Sequence, residues 1–314
     1  MSDLKIGVFG RLVAAIALMC PLVVDAIPKV VVSIMPVHSL VAGVMTGVGV
    51  PELLIPGNQS PHTFSLSPSS VRRLGAADLV VWVGGQLETP LAKVLKANVE
   101  DAPIIELITL PGLERLPVRE AGGWDTHGHD GSHDRDDHAS QAHPVDPHIW
   151  LSPVNAVLIA TRIFEVLSDM DPTNADAYHR NTVQLIQRIA ELDNNIEASF
   201  ASVRDRPYIV FHDAYQLFEH HYRLRAVGSV TVNPERLPGA RTISEVRSKI
   251  VKSGARCVFS EPQFEPRLVA TLIEGTRARA GTLDPVGYGL SPGPDAYFLL
   301  MTGLATAIID CLSE

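Results

Sequence analysis

The chain has 314 residues, of which 46% are hydrophobic and 19% are charged, and it carries a formal net charge of −9 at pH 7. A chain of this length is too long to fold around one hydrophobic core of ordinary size. It is long enough for two lobes of roughly 100–150 residues each. The composition is that of a globular protein, and the acidic balance excludes a nucleic acid as the partner, because phosphate binding needs a basic face.

Residues 1–26 are predicted to be a secretory signal peptide. Lys5 and Arg11 supply a positive n-region, residues 12–24 are mostly apolar, and Ala26 ends a short small-residue cleavage site. The apolar run is shorter than the about 20 residues that a membrane-spanning helix needs. The alternative is that the apolar run forms a short buried strand or helix of the mature protein.

Residues 27–170 are predicted to form an N-terminal metal-binding lobe in which strands alternate with helices. A capping serine before a proline at Ser67-Pro68 indicates a helix start. Alternation of this kind is typical of parallel β-α-β units. Strands are predicted over residues 29–34, 51–55, 79–83 and 104–110, and a helix over residues 36–45.

Residues 122–145 interrupt this pattern. Between Trp124 and Pro144 no aliphatic residue is larger than alanine, so the segment cannot bury a core and is expected to be a mobile loop. Imidazoles and carboxylates in the loop could hold a divalent metal loosely, either to capture scarce metal or to sense abundant metal. The histidines of the loop are His127, His129, His133, His138 and His143.

The second half of the chain repeats the alternating layout. Ser152-Pro153 opens another helix, and a long helix with one apolar stripe is predicted within a connector of residues 171–205. Residues 206–314 are predicted to be a C-terminal metal-binding lobe, with strands over 208–211, 225–232 and 257–260 and helices over 243–253, 266–279 and 294–312. The fold class is α/β: two lobes, each with a mostly parallel sheet flanked by helices, joined by a long connector helix.

Three histidines stand out by position as candidate metal ligands. His62 and His148 lie just before predicted helix starts, and His212 directly follows a predicted strand. Because ligands of open parallel sheets sit beyond the carboxyl ends of the strands, all three are expected in one cleft between the lobes. Asp284, after a possible final strand, is a fourth candidate. Three imidazoles with a carboxylate or a water suit Zn²⁺. Three carboxylates could orient the ligand histidines: Asp146, Asp213 and Glu261.

The spacing of these residues carries no local metal signature, since the chain has neither a C-x-x-C pair nor an H-E-x-x-H motif. A histidine after a strand is often a capping or hydrogen-bonding residue, so this reading stays open beside the metal site. Removal of the signal peptide would take Cys20 and leave Cys257 and Cys311, which form either a disulfide of an exported protein or two separate buried thiols.

The mature chain resembles, over essentially its whole length, the periplasmic zinc-binding receptors of bacterial zinc ABC transporters, within a wider group of zinc- and manganese-binding solute receptors. The resemblance rests on several separated motifs. They are Ser60-Pro61-His62, Leu66-Ser67-Pro68-Ser69, residues 77–84, residues 148–153, Phe211-His212-Asp213-Ala214-Tyr215, Val232-Asn233-Pro234-Glu235, residues 257–264 and Gly281-Thr282-Leu283-Asp284-Pro285.

The resemblance implies two α/β lobes joined by a rigid helix, with the metal held between them by His62, His148 and His212. A carboxylate replaces His212 in manganese-type relatives, so His212 favours zinc. Some zinc receptors carry a glutamate before the first histidine, where this chain has Pro61, which leaves the fourth ligand between Asp284 and water. The family's disulfide corresponds to Cys257 and Cys311.

The expected function is therefore capture of Zn²⁺ outside the cytoplasm, in the periplasm, by a monomer that delivers it to an inner-membrane ABC permease. An enzymatic role is not expected, and the chain has no phosphate-binding G-x-x-x-x-G-K-[ST] loop. The alternatives are a manganese or iron receptor of the same fold, an exported zinc hydrolase and an adhesin for which zinc is incidental.

Overall fold

The computed structural model describes residues 26–99, 102–119, 122–123, 144–231, 234, 238–264 and 267–313. Residues 1–25 of the predicted signal peptide and residues 124–143 of the predicted loop lie outside this part of the chain. The helices and strands of the described residues, in chain order, are β1 (Val30–Val32), α1 (Met35–Val44), β2 (Glu52–Leu53), α2 (Pro68–Gly75), β3 (Leu79–Trp82), α3 (Thr89–Asn98), β4 (Ile104–Glu106), β5 (Gly122–Gly123), α4 (Pro153–Met170), α5 (Ala175–Ser199), β6 (Tyr208–His212), α6 (Gln216–Tyr222), β7 (Ala226–Thr231), α7 (Ala240–Ser253), β8 (Cys257–Ser260), α8 (Arg267–Ile273), β9 (Arg279–Thr282) and α9 (Ala296–Ser313).

The first sheet has the order β2-β1-β3-β4, and all its strands are parallel. Every residue of β1 and β3 is buried, as expected for parallel strands that are covered on both faces. Ser67 begins α2 as predicted, because its Oγ accepts a hydrogen bond from the backbone N–H of Ser70 at 3.1 Å and Pro68 fills the first turn.

The second sheet has the order β5-β7-β6-β8-β9 and is parallel apart from β5, which pairs antiparallel with β7. The predicted α/β class with two mostly parallel sheets is thus confirmed. Cys257 of β8 and Cys311 of α9 form a disulfide, which decides the alternative that the cysteine count left open.

Helices α4 and α5 pack on each other, and α5 also contacts α1 and α9. The 25 residues of α5 span about 37 Å, and its buried face includes Leu185, Ile189 and Ile196. One hydrophobic cluster contains residues of both sheets, such as Val81 of β3 and Val210 of β6. The two sheets therefore share one core, and the second sheet also has a separate hydrophobic cluster that includes Ile209 of β6 and Val246 of α7.

Helix α9 is long and apolar enough to cross a membrane by length and composition alone. It packs against α1, α5 and β9, and its residues Tyr297, Leu304 and Ile308 are fully or almost fully buried in the protein. Its apolar character is therefore explained by its place in the core.

Three sequence-based expectations differ from the structure. The strand predicted over 104–110 ends at Glu106 and continues as a 3₁₀ turn, Leu107–Thr109, that buries Leu107 and Ile108. The helix predicted over 266–279 ends at Ile273, because the chain must turn before it enters β9. The predicted loop of residues 122–145 begins in β5 at Gly122–Gly123 and ends in a bridge between Pro117 and Val145.

Candidate metal site

The three candidate histidines converge between the two sheets. His62 lies in the loop that joins β2 to α2, His148 immediately precedes a 3₁₀ turn that leads into α4, and His212 is the last residue of β6. His148 and His212 are 3% and 2% exposed, whereas His62 is half-buried. The three side chains thus come from three separate parts of the chain.

One potential ligand nitrogen from each of these histidines lies within 4.8 Å of the other two. The ring centroids are 5.8 Å apart for His62 and His148, 5.2 Å for His62 and His212, and 4.9 Å for His148 and His212. Nitrogen ligands of a tetrahedral zinc ion lie about 2.0–2.1 Å from the metal, so side chains this close together can share one ion. No other histidine, cysteine or carboxylate of the described residues belongs to the group.

His148 is oriented by a buried carboxylate. Oδ1 of Asp146 lies 2.6 Å from Nδ1 of His148, and it also accepts the backbone N–H of His148 at 3.0 Å. Nε2 of His148 is buried and has no hydrogen-bond partner among the described residues. A histidine whose Nδ1 is held by a carboxylate and whose Nε2 is free has the arrangement of a metal ligand with its supporting residue.

His212 lies close to two acidic side chains, those of Glu261 and Asp213. Oε1 of Glu261 lies 3.4 Å from Nδ1 of His212 and accepts a hydrogen bond from the hydroxyl of Tyr215 at 3.1 Å. Asp213, the next residue, accepts from Nε of Arg119 at 3.1 Å, and the same guanidinium donates to Oε2 of Glu219 at 2.8 Å. Arg119 thus joins the segment that precedes β5 to the residues around His212.

Burial keeps His62 and His148 neutral and therefore able to bind a metal. Desolvation, together with the nearby imidazoles of His212 and His148, lowers the pKa of His62 to about 2. Desolvation also holds the pKa of His148 well below 6.5. Burial has the opposite effect on the carboxyl of Asp146, whose pKa it raises to about 7. A divalent cation would offset the cost of an ionised carboxylate at this position.

Asp284 lies outside the three-histidine group. Its Oδ1 accepts hydrogen bonds from the backbone N–H groups of Val286 at 3.2 Å and Gly287 at 3.0 Å, and from Nε2 of Gln263 at 3.1 Å. Its Oδ2 accepts the N–H of Tyr288 at 2.5 Å. The structure therefore does not bring Asp284 together with the other predicted ligands, because its carboxylate holds the turn that follows β9.

Two open spaces adjoin the histidines. A small space of about 10 Å³ is bordered by Pro61, Gln263 and Phe264 together with the three histidines. A larger cavity of about 430 Å³ lies beside the same histidines and is bordered by Val118, Val145 and Gln216. The larger of the two spaces therefore offers the wider approach to the histidines.

Sequence reasoning named Asp146, Asp213 and Glu261 as residues that could orient the ligands, and Asp146 has that position in the structure. It missed Arg119, Gln263 and Glu219. Gln263 was quoted only as part of a family motif, and Arg119 is separated from Asp213 by 94 positions. Nothing in the local sequence of Arg119 indicates the pairing.

Sequence comparisons relate the chain to known proteins of zinc uptake. The family model described as "Zinc-uptake complex component A periplasmic" matches residues 30–311. A high-affinity zinc uptake system protein, ZnuA, of Brucella suis is 41% identical over 306 residues, which cover 91% of this chain and 92% of the relative.

Solved structures share the fold. A crystal structure of ZnuA superposes with a TM-score of 0.75 at 24% identity and covers 91% of this chain and 100% of its own. A receptor of Pseudomonas aeruginosa in complex with Mn²⁺ reaches the same TM-score of 0.75 at 18% identity, covering 92% of this chain and 99% of its own. The fold by itself therefore accommodates more than one metal.

Proposed function

The chain belongs to the ZnuA family of periplasmic zinc-uptake components, and from this premise we propose that it binds Zn²⁺ through His62, His148 and His212. Zinc is the cargo of the protein and not a cofactor. The observation that carries the proposal is the convergence of one nitrogen from each histidine within 4.8 Å, although the three residues come from distant parts of the chain.

The fourth coordination position goes to a ligand from outside the chain. Asp284 was predicted as the alternative to water, but its carboxylate already accepts N–H groups from Val286, Gly287, Tyr288 and Gln263. Ligation by Asp284 would break this set of hydrogen bonds. A site with three protein ligands and one exchangeable ligand can bind its metal and still release it.

Three imidazoles favour zinc over manganese, which prefers more oxygen ligands. This donor set is the reason to place zinc above manganese or iron, since the fold alone fits receptors of several metals. A competition titration tests the choice. The protein should prefer Zn²⁺ to Mn²⁺, and a preference for Mn²⁺ would overturn the proposal.

A hydrolase with a three-histidine zinc ion would need a carboxylate or imidazole available as a general base. The carboxylates closest to the site already have partners: Asp146 with His148, Asp213 with Arg119 and Glu261 with Tyr215. The family is one of binding components of an uptake system, and a receptor role fits these contacts better than catalysis. Turnover of ester or phosphate substrates by the zinc-loaded protein would revive the hydrolase.

Delivery requires that the receptor reach the periplasm and meet its transporter. We infer that residues 1–26 direct export and are removed, and that the mature monomer docks on an inner-membrane ABC permease. The shared core of the two sheets and the long helix α5 favour small movements of the two parts over a wide hinge opening. Release of zinc then follows from local distortion of the three-histidine group on docking.

A further inference from the structure

Two glutamines border the spaces on either side of the three histidines. Gln263 borders the small space of about 10 Å³, which is about the room that one water needs, and Gln216 borders the cavity of about 430 Å³. The amide oxygen Oε1 of each is buried and has no hydrogen-bond partner among the described residues. Because buried acceptors in folded proteins are as a rule paired, each oxygen calls for a donor.

The two glutamines differ in how their amides are held. Nε2 of Gln263 donates to Oδ1 of Asp284 at 3.1 Å, and that carboxylate is fixed by the backbone N–H groups of Val286 and Gly287. An ionised carboxylate only accepts hydrogen bonds, so this contact decides which end of the Gln263 amide is the oxygen. Gln216 has no comparable anchor within the part of the chain that the structure describes.

The donor that Oε1 of Gln263 lacks can be identified from the chemistry of the site. A metal ion bound by three histidines takes water as its usual fourth ligand, and a metal-bound water carries O–H groups. The three histidines cannot donate this hydrogen bond, because their free ring nitrogens face the metal once it is bound. An amide oxygen is also not among the side-chain ligands that zinc ordinarily takes, which are thiolates, imidazoles and carboxylates.

We propose that Gln263 accepts a hydrogen bond from the water that completes the coordination of Zn²⁺, and that Asp284 holds the Gln263 amide in the orientation this requires. The inference rests on the proposed binding of zinc by the three histidines and adds a positioning residue to that site. Asp284 then does not ligate the metal. It orients Gln263, and Gln263 in turn holds the metal-bound water.

The test compares Gln263→Met with Gln216→Met, since methionine has a similar length and no acceptor oxygen of this kind. Zinc affinity is measured by competition titration, and the thermal midpoint of the metal-free proteins serves as the folding control. Gln263→Met should weaken zinc binding about two- to tenfold, the effect of one hydrogen bond, whereas Gln216→Met should bind as the parent protein does. Gln263→Leu repeats the test if the methionine variant does not fold.

A second readout separates the role of the water from a general loosening of the site. In the Co²⁺-loaded protein, the pH titration of the visible spectrum follows ionisation of the metal-bound water, and Gln263→Met should shift its midpoint while Gln216→Met should not. Unchanged zinc affinity and an unchanged midpoint in Gln263→Met would overturn the proposal, as would a loss confined to Gln216→Met. Failure of the parent protein to bind zinc would instead refute the proposed function.

Discussion

Oδ1 of Asp146 lies 2.6 Å from Nδ1 of His148, only two residues further along the chain, and both side chains are buried. The contact holds the imidazole so that its other nitrogen, Nε2, faces away from the carboxylate and has no hydrogen-bond partner among the described residues. A metal-ligating histidine needs this support, because the carboxylate fixes the ring orientation and raises the basicity of the ligating nitrogen.

Replacing Asp146 should therefore weaken zinc binding without removing any ligand. Asp146→Ala is expected to lower zinc affinity about 10- to 100-fold, the range found for supporting residues of metal sites. Asp146→Asn keeps an acceptor oxygen near Nδ1 of His148 and should lose less. Competition titration of both variants measures the effect, and an Asp146→Ala variant with the affinity of the parent protein would contradict this role.

Arg119 is expected to contribute to stability through its buried ionic contacts with Asp213 and Glu219. Arg119→Met leaves both carboxylates buried without their cation. The free energy of unfolding should fall by about 3 kcal/mol, the lower end of the range for breaking a buried ion pair, because the Arg119 side chain is 23% exposed. Urea unfolding of the metal-free protein measures this change.

Arg241→Met is the matched control for Arg119→Met, since Arg241 pairs with Glu245 on the surface and its side chain is 92% exposed. An exposed pair of this kind is screened by solvent and should be dispensable. Equal stability of the two variants would show that the buried network around Arg119 does not stabilise the fold.

Acidification should destabilise the metal-free protein through His62. Desolvation lowers the pKa of His62 from 6.5 to about 2, so below about pH 6.5 the unfolded chain binds a proton that the folded protein does not. The free energy of unfolding attributable to this residue therefore falls as the pH decreases from 6.5. The buried carboxyls of Asp146 and Glu88, whose pKa values burial raises to about 7, act in the opposite direction.

A variant isolates the histidine from these opposing groups. When the pH is lowered from about 8 to about 5, the free energy of unfolding of His62→Gln should rise relative to that of the parent protein. The reason is that only the parent carries an imidazole whose pKa is lowered by folding. Chemical unfolding of both metal-free proteins at the two pH values gives the difference. A stability difference that is the same at both would contradict the linkage.

The disulfide between Cys257 and Cys311 should stabilise the fold without affecting the metal site. It closes a loop with a sequence separation of 54, for which the chain-entropy model gives about 4 kcal/mol. The double variant Cys257→Ser with Cys311→Ser should lose about this much free energy of unfolding, measured in guanidinium chloride, and retain its zinc affinity. A parallel loss of zinc affinity would show that the bond also shapes the site.

Much of the site could be predicted because its signals are local. Ser67 and Ser152 are capping serines before prolines, and His212 ends a β-branched and aromatic run, so strand ends and helix starts placed the histidines near one cleft. The structure confirmed the α/β class and the pairing of the cysteines.

Other features depend on contacts that no local pattern records. Arg119 meets Asp213 across 94 positions, and the two-glycine strand β5 has no side chains to signal it. Asp284 looked like a ligand because it follows a strand, yet the proline after it favours a turn whose backbone N–H groups take up its carboxylate. The ligand prediction missed this competing use of the same oxygens.

The most direct test of the account is zinc calorimetry on a protein that lacks residues 123–144, with and without His62→Ala, His148→Ala and His212→Ala together. Removal of the segment takes away its five histidines and leaves the three-histidine group intact. The account predicts one tight zinc ion per chain in the shortened protein and none in the triple variant. Tight binding that survives in the triple variant, or that disappears with the segment alone, would contradict it.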